Sequence, residues 1–202
     1  MPTTESVVRP AFTHARYIMI AAPPRNVAAL LLAVTFCCGC DREDPAISYS
    51  TAMIKRYPEK ARGYNRRGVN YEALERYDEA IADYTRAIQL QPDAPNFYFN
   101  LGNALSSQGQ YERAIAQYDQ AIRLVPDDAD YYNNRGLAHT KLGQYKRAIK
   151  NYSAAIWLKP DDADYYQARG TAYQKQGDTR RAEADFATAQ KLDPTTNTVP
   201  PG

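Results

Sequence analysis

Two patterns of apolar and polar positions divide the chain. From Val27 to Phe36 ten consecutive residues, VAALLLAVTF, carry no charge, and this is the only strongly apolar run. From residue 44 onward apolar side chains are interleaved with charged ones, and the same residue types return every 34 positions. Gly68, Gly102, Gly136 and Gly170 keep that interval, as do Ala80, Ala114, Ala148 and Ala182, and Pro92, Pro126, Pro160 and Pro194. Tyr64, Tyr98, Tyr132 and Tyr166 keep step with them, and so do Tyr84, Tyr118, Tyr152 and Phe186, and Ala87, Ala121, Ala155 and Ala189.

The spacing predicts two helices per unit. The first carries the leading tyrosine and the glycine, and the second carries the alanines and stops at the proline, which cannot continue a helical hydrogen-bond ladder. Glycine inside a helix costs about 1 kcal/mol relative to alanine, so its recurrence implies a gain in packing. Small residues let helices approach closely, and Gly68 and its equivalents are expected to face Ala80 and its equivalents. Gly109, Gly143 and Gly177 mark the turn between helices, where Glu75 stands in the first copy. Asp93, Asp127 and Asp161 follow the prolines and are expected to cap the next helix.

A period of 34 with these residues resembles the tetratricopeptide repeat. The resemblance implies an all-α superhelical solenoid of four full repeats, at 61–94, 95–128, 129–162 and 163–196. Ala46 and Pro58 fall in the same register, so residues 41–60 are read as a linker and a half-repeat capping helix. The last helix is more polar than its predecessors: Thr179 replaces Tyr77, Tyr111 and Tyr145, and Gln190 replaces Ile88, Ile122 and Ile156. That reads as a built-in cap, with a homodimer contact through this repeat as the alternative. A disordered tail is expected over 197–202.

Residues 1–40 read as a leader. Arg25 followed by the ten-residue apolar run has the grammar of a secretory signal, being too short for a spanning helix. Gly39-Cys40 resembles the cleavage site of a bacterial lipoprotein, with Cys40 as the lipidated residue, although Cys37 and Cys38 stand where that pattern prefers an apolar and a small residue. Met19 is the expected start of translation. The three cysteines, Cys37, Cys38 and Cys40, lack the fourth ligand and the looser spacing of a structural zinc site, so no metal or other cofactor is expected.

Composition sharpens the picture. There are 17 Tyr against one Trp and five Phe, as expected when one aromatic position is copied repeatedly. Three of the 25 basic and one of the 23 acidic side chains lie in the first forty residues, leaving 22 of each in a neutral body. Nucleic acid would need a basic surplus on one face, so it is not expected as a partner. His14 lies in the leader and His139 at a packing position, no phosphate-binding loop opens a helix, and no constellation of an enzyme is legible.

What remains is binding. In the family resembled, the first helix of each pair lines a concave groove, which assigns Asn65, Arg66 and Val69, Phe99, Asn100 and Asn103, Asn133, Asn134 and Leu137, and Gln167, Ala168 and Thr171 to it. Asparagine both donates and accepts, so a row of amides suits an extended peptide backbone. The resemblance places Asn100 and Asn134 at peptide-holding positions. Arg67, Arg135 and Arg169 are expected to pair with carboxylates on the stack, and Trp157 to lie on the outer face. The reading is a non-catalytic protein-binding scaffold on a lipid anchor in a bacterial cell envelope. The alternative is a cytosolic regulatory or co-chaperone-like module.

Overall fold

A computed structural model of the chain describes residues 44–195. The leader, Cys40 and the C-terminal tail lie outside the described residues. Among the described residues the secondary structure is wholly helical: α1 (Pro45–Arg56), α2 (Ala61–Ala73), α3 (Tyr77–Leu90), α4 (Pro95–Ser107), α5 (Tyr111–Leu124), α6 (Ala129–Lys141), α7 (Tyr145–Leu158), α8 (Ala163–Gln176) and α9 (Thr179–Leu192). α2 packs on α3, α4 on α5, α6 on α7 and α8 on α9, and each pair packs on the next. α1 is a lone second helix laid against α2, anchored by the fully buried Ile47.

Local chemistry sets the helix ends. The side chains of Asp44, Asp128, Asp162 and Asp178 accept hydrogen bonds from the backbone N–H of Ala46, Asp130, Asp164 and Arg181, satisfying donors that the first helical turn leaves free. The caps of α6 and α8 are therefore Asp128 and Asp162, one position later than Asp127 and Asp161. α4 has Ala94 at its cap position and no side-chain cap, so Asp93 does not cap it. The turns inside each pair need a left-handed residue, and Gly109, Gly143 and Gly177 supply it with φ of 77°, 70° and 87°. In the first pair Glu75 adopts the same region, φ 57°, despite its Cβ.

The recurring glycine faces a ring, where an alanine was expected. A Cβ on Gly68, Gly102 or Gly136 would lie 2.7, 2.5 or 2.8 Å from Cε1 of Tyr84, Tyr118 or Tyr152, and one on Gly170 would lie 2.6 Å from Cε1 of Phe186. Ala80, Ala114 and Ala148 are fully buried nearby, but it is the tyrosine that fills the space the glycine leaves. Each buried hydroxyl then needs a partner. Tyr84 donates to Glu72 Oε2 (2.7 Å), Tyr118 donates to Asn103 Oδ1 (2.8 Å), and Tyr152 shares a hydrogen bond with Thr140 (3.0 Å). Burial pushes the phenols of Tyr84 and Tyr118 far above their usual range, and that of Tyr152 up to about 12. Phe186 has no hydroxyl to satisfy.

Two further stitches recur. Tyr98, Tyr132 and Tyr166 donate to the carbonyls of Pro92, Pro126 and Pro160, at 3.0, 3.0 and 3.1 Å, so tyrosine and proline together close the loop between pairs. The arginines just before the glycines join three helices. Arg67 grips Asp83 with two hydrogen bonds (2.7 and 2.8 Å) and reaches Thr51 of α1. Arg169 grips Asp185 likewise (2.8 Å each) and reaches Ser153 of the preceding pair. Arg135 takes Asn151 Oδ1 in its own pair and Asp119 in the preceding one, and the second pair has Leu101 and Gln117 at these positions. The three arginines are thus engaged within the stack, as expected.

Candidate peptide-binding groove

Each first helix, α2, α4, α6 and α8, touches the next first helix, whereas consecutive second helices do not touch. The first helices therefore line the inner side of the curve. The positions one, two and five residues after the leading tyrosine follow one another along it at the 34-residue step.

The structure gives these residues unequal freedom. Asn100 donates from Nδ2 to Asn65 Oδ1 (2.9 Å), linking α4 to α2 across the groove floor. Asn134 donates to the carbonyl of Asp130 in its own helix (2.9 Å). Each amide still has a second N–H, and Asn100 and Asn134 keep their carbonyl oxygens. Asn103 spends its oxygen on the buried Tyr118. Phe99 is half-buried, its ring 5.0 Å from Tyr131 and 6.0 Å from Tyr118, so it is partly core. The Arg66 guanidinium lies 5.4 Å from the ring of Tyr49 on α1, at the N-terminal end of the groove. Asn133 Oδ1 and Gln167 Oε1, one repeat apart, are buried atoms with no hydrogen-bond partner among the described residues. Val69 and Leu137 are exposed apolar residues on the same face.

His139 sits elsewhere. Its ring is buried, Nδ1 lies 2.9 Å from Gln144 Oε1, and desolvation holds its pKa below the ordinary value. Trp157 is 82% exposed on α7.

The family of the fold can now be settled. The model for the TPR repeat matches residues 68–109, 102–143 and 138–177, and that for the tetratricopeptide repeat matches 163–196. The chain is a tetratricopeptide repeat protein. The crystal structure of MamA is similar to this repeat stack at 25% identity and a TM-score of 0.70, covering 76% of this chain and 90% of that one. MamA 41-end from Desulfovibrio magneticus RS-1 aligns at 20% identity and a TM-score of 0.70, covering 75% and 86%. The APC/C hetero-tetramer Cut9-Hcn1 aligns at 21% and 0.66, covering 77% of this chain and 30% of that one. These last two likenesses show the fold alone. No curated protein matches. The tetratricopeptide repeats make the chain a scaffold for protein–protein contacts.

Sequence reasoning missed three features of the repeat stack. Asp83 and Asp185 lie 16 residues after their arginines, a spacing that pairs helices and leaves no local signal. The aromatic and methionine residues Tyr49 and Met53 on α1 and Tyr57 at its C-cap stand four apart and are 55%, 38% and 39% exposed; their i, i+4, i+8 spacing was legible. Gly63 occupies the register of Phe97, Tyr131 and Tyr165, which only the alignment of copies reveals.

Proposed function

We propose that the protein is a non-catalytic scaffold that holds extended peptide segments of protein partners in its concave groove. The observation that carries this reading is the row of amides along the first helices, with two acceptors, Asn133 Oδ1 and Gln167 Oε1, that have no donor among the described residues. Buried polar atoms normally find partners. After small side-chain rotations, a peptide backbone laid along the row supplies N–H groups to these oxygens and carbonyls to the spare amide hydrogens. The neutral body fits this recognition of backbone, since it favours no one charge on the partner.

The scaffold acts at the outward face of a bacterial membrane, held by lipid on Cys40. The apolar run 27–36 and Gly39-Cys40 support this, and among the described residues no helix is long and apolar enough to cross a membrane. Two acyl signals or one chain plus further contacts are needed for stable anchoring. The test takes the full chain in a bacterial host, with a photo-crosslinking side chain at Leu137 in the groove or at Arg123 as an outer control, and a Cys40→Ala variant. The expected result is partner crosslinks from position 137 alone, with membrane fractionation lost in the Cys40 variant. Equal crosslinking from both positions overturns the groove, and unchanged fractionation overturns the anchor.

A further inference from the structure

In α4, α6 and α8 the position two residues into the helix holds a ring that closes the seam to the preceding repeat. Phe97, Tyr131 and Tyr165 are all buried. Phe97 packs on Ala61, Ala87 and Ala94, and Tyr165 on Ala129 and Ala155. At the N-terminal end the equivalent residue is Gly63, and the seat is left without its ring. A cavity of about 470 Å³ lies there, lined by Met53, Tyr57, Ala61, Gly63 and Leu90 together with Glu59, Lys60, Arg62 and Gln91. Met53 and Lys60 stand 34 residues before Ala87 and Ala94, so the cavity retains two walls of the seat that Phe97 fills in the next repeat. A Cβ at residue 63 would lie 3.0 Å from Ile54 Cγ1, so the Ile54 side chain must give by a few tenths of an ångström before residue 63 can carry a side chain into the seat.

Two other observations bear on what enters. The cavity is continuous, through Met53 and Tyr57, with the exposed stripe that Tyr49 begins on α1. The surroundings are cationic: residues 44–66 carry Lys55, Arg56, Lys60, Arg62 and Arg66 against Asp44 and Glu59, and among the described residues neither Lys60 nor Arg62 forms an ion pair. Arg66 and Arg56 already lie over the rings of Tyr49 and Tyr57 at 5.4 Å each, so cation and ring alternate along the helix.

We infer that this cavity is a second docking site, separate from the groove and from any lipid anchor, and that it receives an aromatic side chain from an acidic segment of a partner protein. The ring restores the packing found at the other three seams, and neighbouring carboxylates meet Lys60 and Arg62. A buried aromatic anchor with a charged periphery is a common arrangement at protein interfaces.

The test uses the full chain labelled with ¹³C at the methionine methyls, of which Met53, the one among the described residues, lines the cavity. The probes are the capped peptides Glu-Phe-Glu and Glu-Leu-Glu. The expected result is a saturable upfield ring-current shift of the Met53 methyl with the phenylalanine peptide. Gly63→Phe, which fills the seat from within, abolishes it. Lys60→Glu with Arg62→Glu, both exposed residues of the cavity lining, weakens binding about tenfold at low salt, as loss of charge complementarity predicts. Three results overturn the inference: an unmoved Met53 methyl, as when the chain's own first 43 residues fill the cavity; equal binding of the leucine peptide; or binding indifferent to the charge reversal. Because no membrane, lipid or groove ligand enters the experiment, its failure leaves the scaffold reading standing.

Discussion

At the C-terminal end of the stack α9 carries Thr179, Glu183 and Gln190, all exposed, where the earlier second helices carry half-buried tyrosine, isoleucine and isoleucine. At the N-terminal end α1 shows Tyr49, Met53 and Tyr57 to solvent, on the side that full repeats turn toward their own first helix. The charge differs too, since the N-terminal end is cationic and residues 178–195 carry four acidic side chains against three basic ones. A repeat array must terminate its apolar interfaces. Here one terminus does so by replacing apolar residues with polar ones, while the other keeps them. The stack therefore has a direction, with an exposed apolar stripe at its N-terminal end and a polar face at its C-terminal one.

The ends also share a device, and the largest expected effect comes from removing it. Arg67→Ala leaves Asp83 buried without its partner, which costs about 3–5 kcal/mol in comparable buried pairs. Arg67→Leu with Asp83→Gln imports the residues of the second repeat and is expected to recover most of that loss. Denaturant unfolding followed by circular dichroism measures both, and a double variant as unstable as the single one argues against the pairing as the cause. A smaller effect is expected from Thr179→Tyr with Glu183→Ile and Gln190→Ile, which rebuilds an internal face at the polar end. Sedimentation is expected to show this variant moving from monomer toward dimer as concentration rises, and a variant as monodisperse as the wild type would refute the capping role. The smallest concerns the turns, where Glu75 at the N-terminal end matches Gly177 at the other. Glu75→Gly keeps the left-handed turn but removes the cost of about 1–2 kcal/mol that it imposes on a residue with a Cβ, so stability rises by about 1 kcal/mol after the entropy of glycine is counted. An unchanged midpoint of unfolding would place the relief elsewhere.

The repeat was legible because 34 is a spacing a reader can check, and each landmark carries a local cause: Pro92 stops a helix, Gly109 makes a left-handed turn. What was not legible depends on contacts between distant positions. Gly68 announced a close approach but not its partner, since Ala80 and Tyr84 both lie on the second helix and only the packing shows that the ring takes the space. The caps shifted by one residue because Asp127 and Asp128 are adjacent and alike, and backbone geometry chose the second. In the groove, the sequence named the amides, yet their hydrogen-bonding capacity depends on neighbours: Asn103 is committed to Tyr118, a pairing 15 residues long that no motif encodes.

The position of Trp157 has an optical consequence. It is the only tryptophan of the chain and it stands in water on the outer face, so its emission is expected near the red limit in the native state and is expected to change little on denaturation. Fluorescence at that wavelength is thus nearly blind to unfolding, but it reports coverage of the outer surface. A blue shift on adding a partner locates contact there, whereas a ligand confined to the amide-lined groove or the ring-sized cavity leaves the lone indole unchanged.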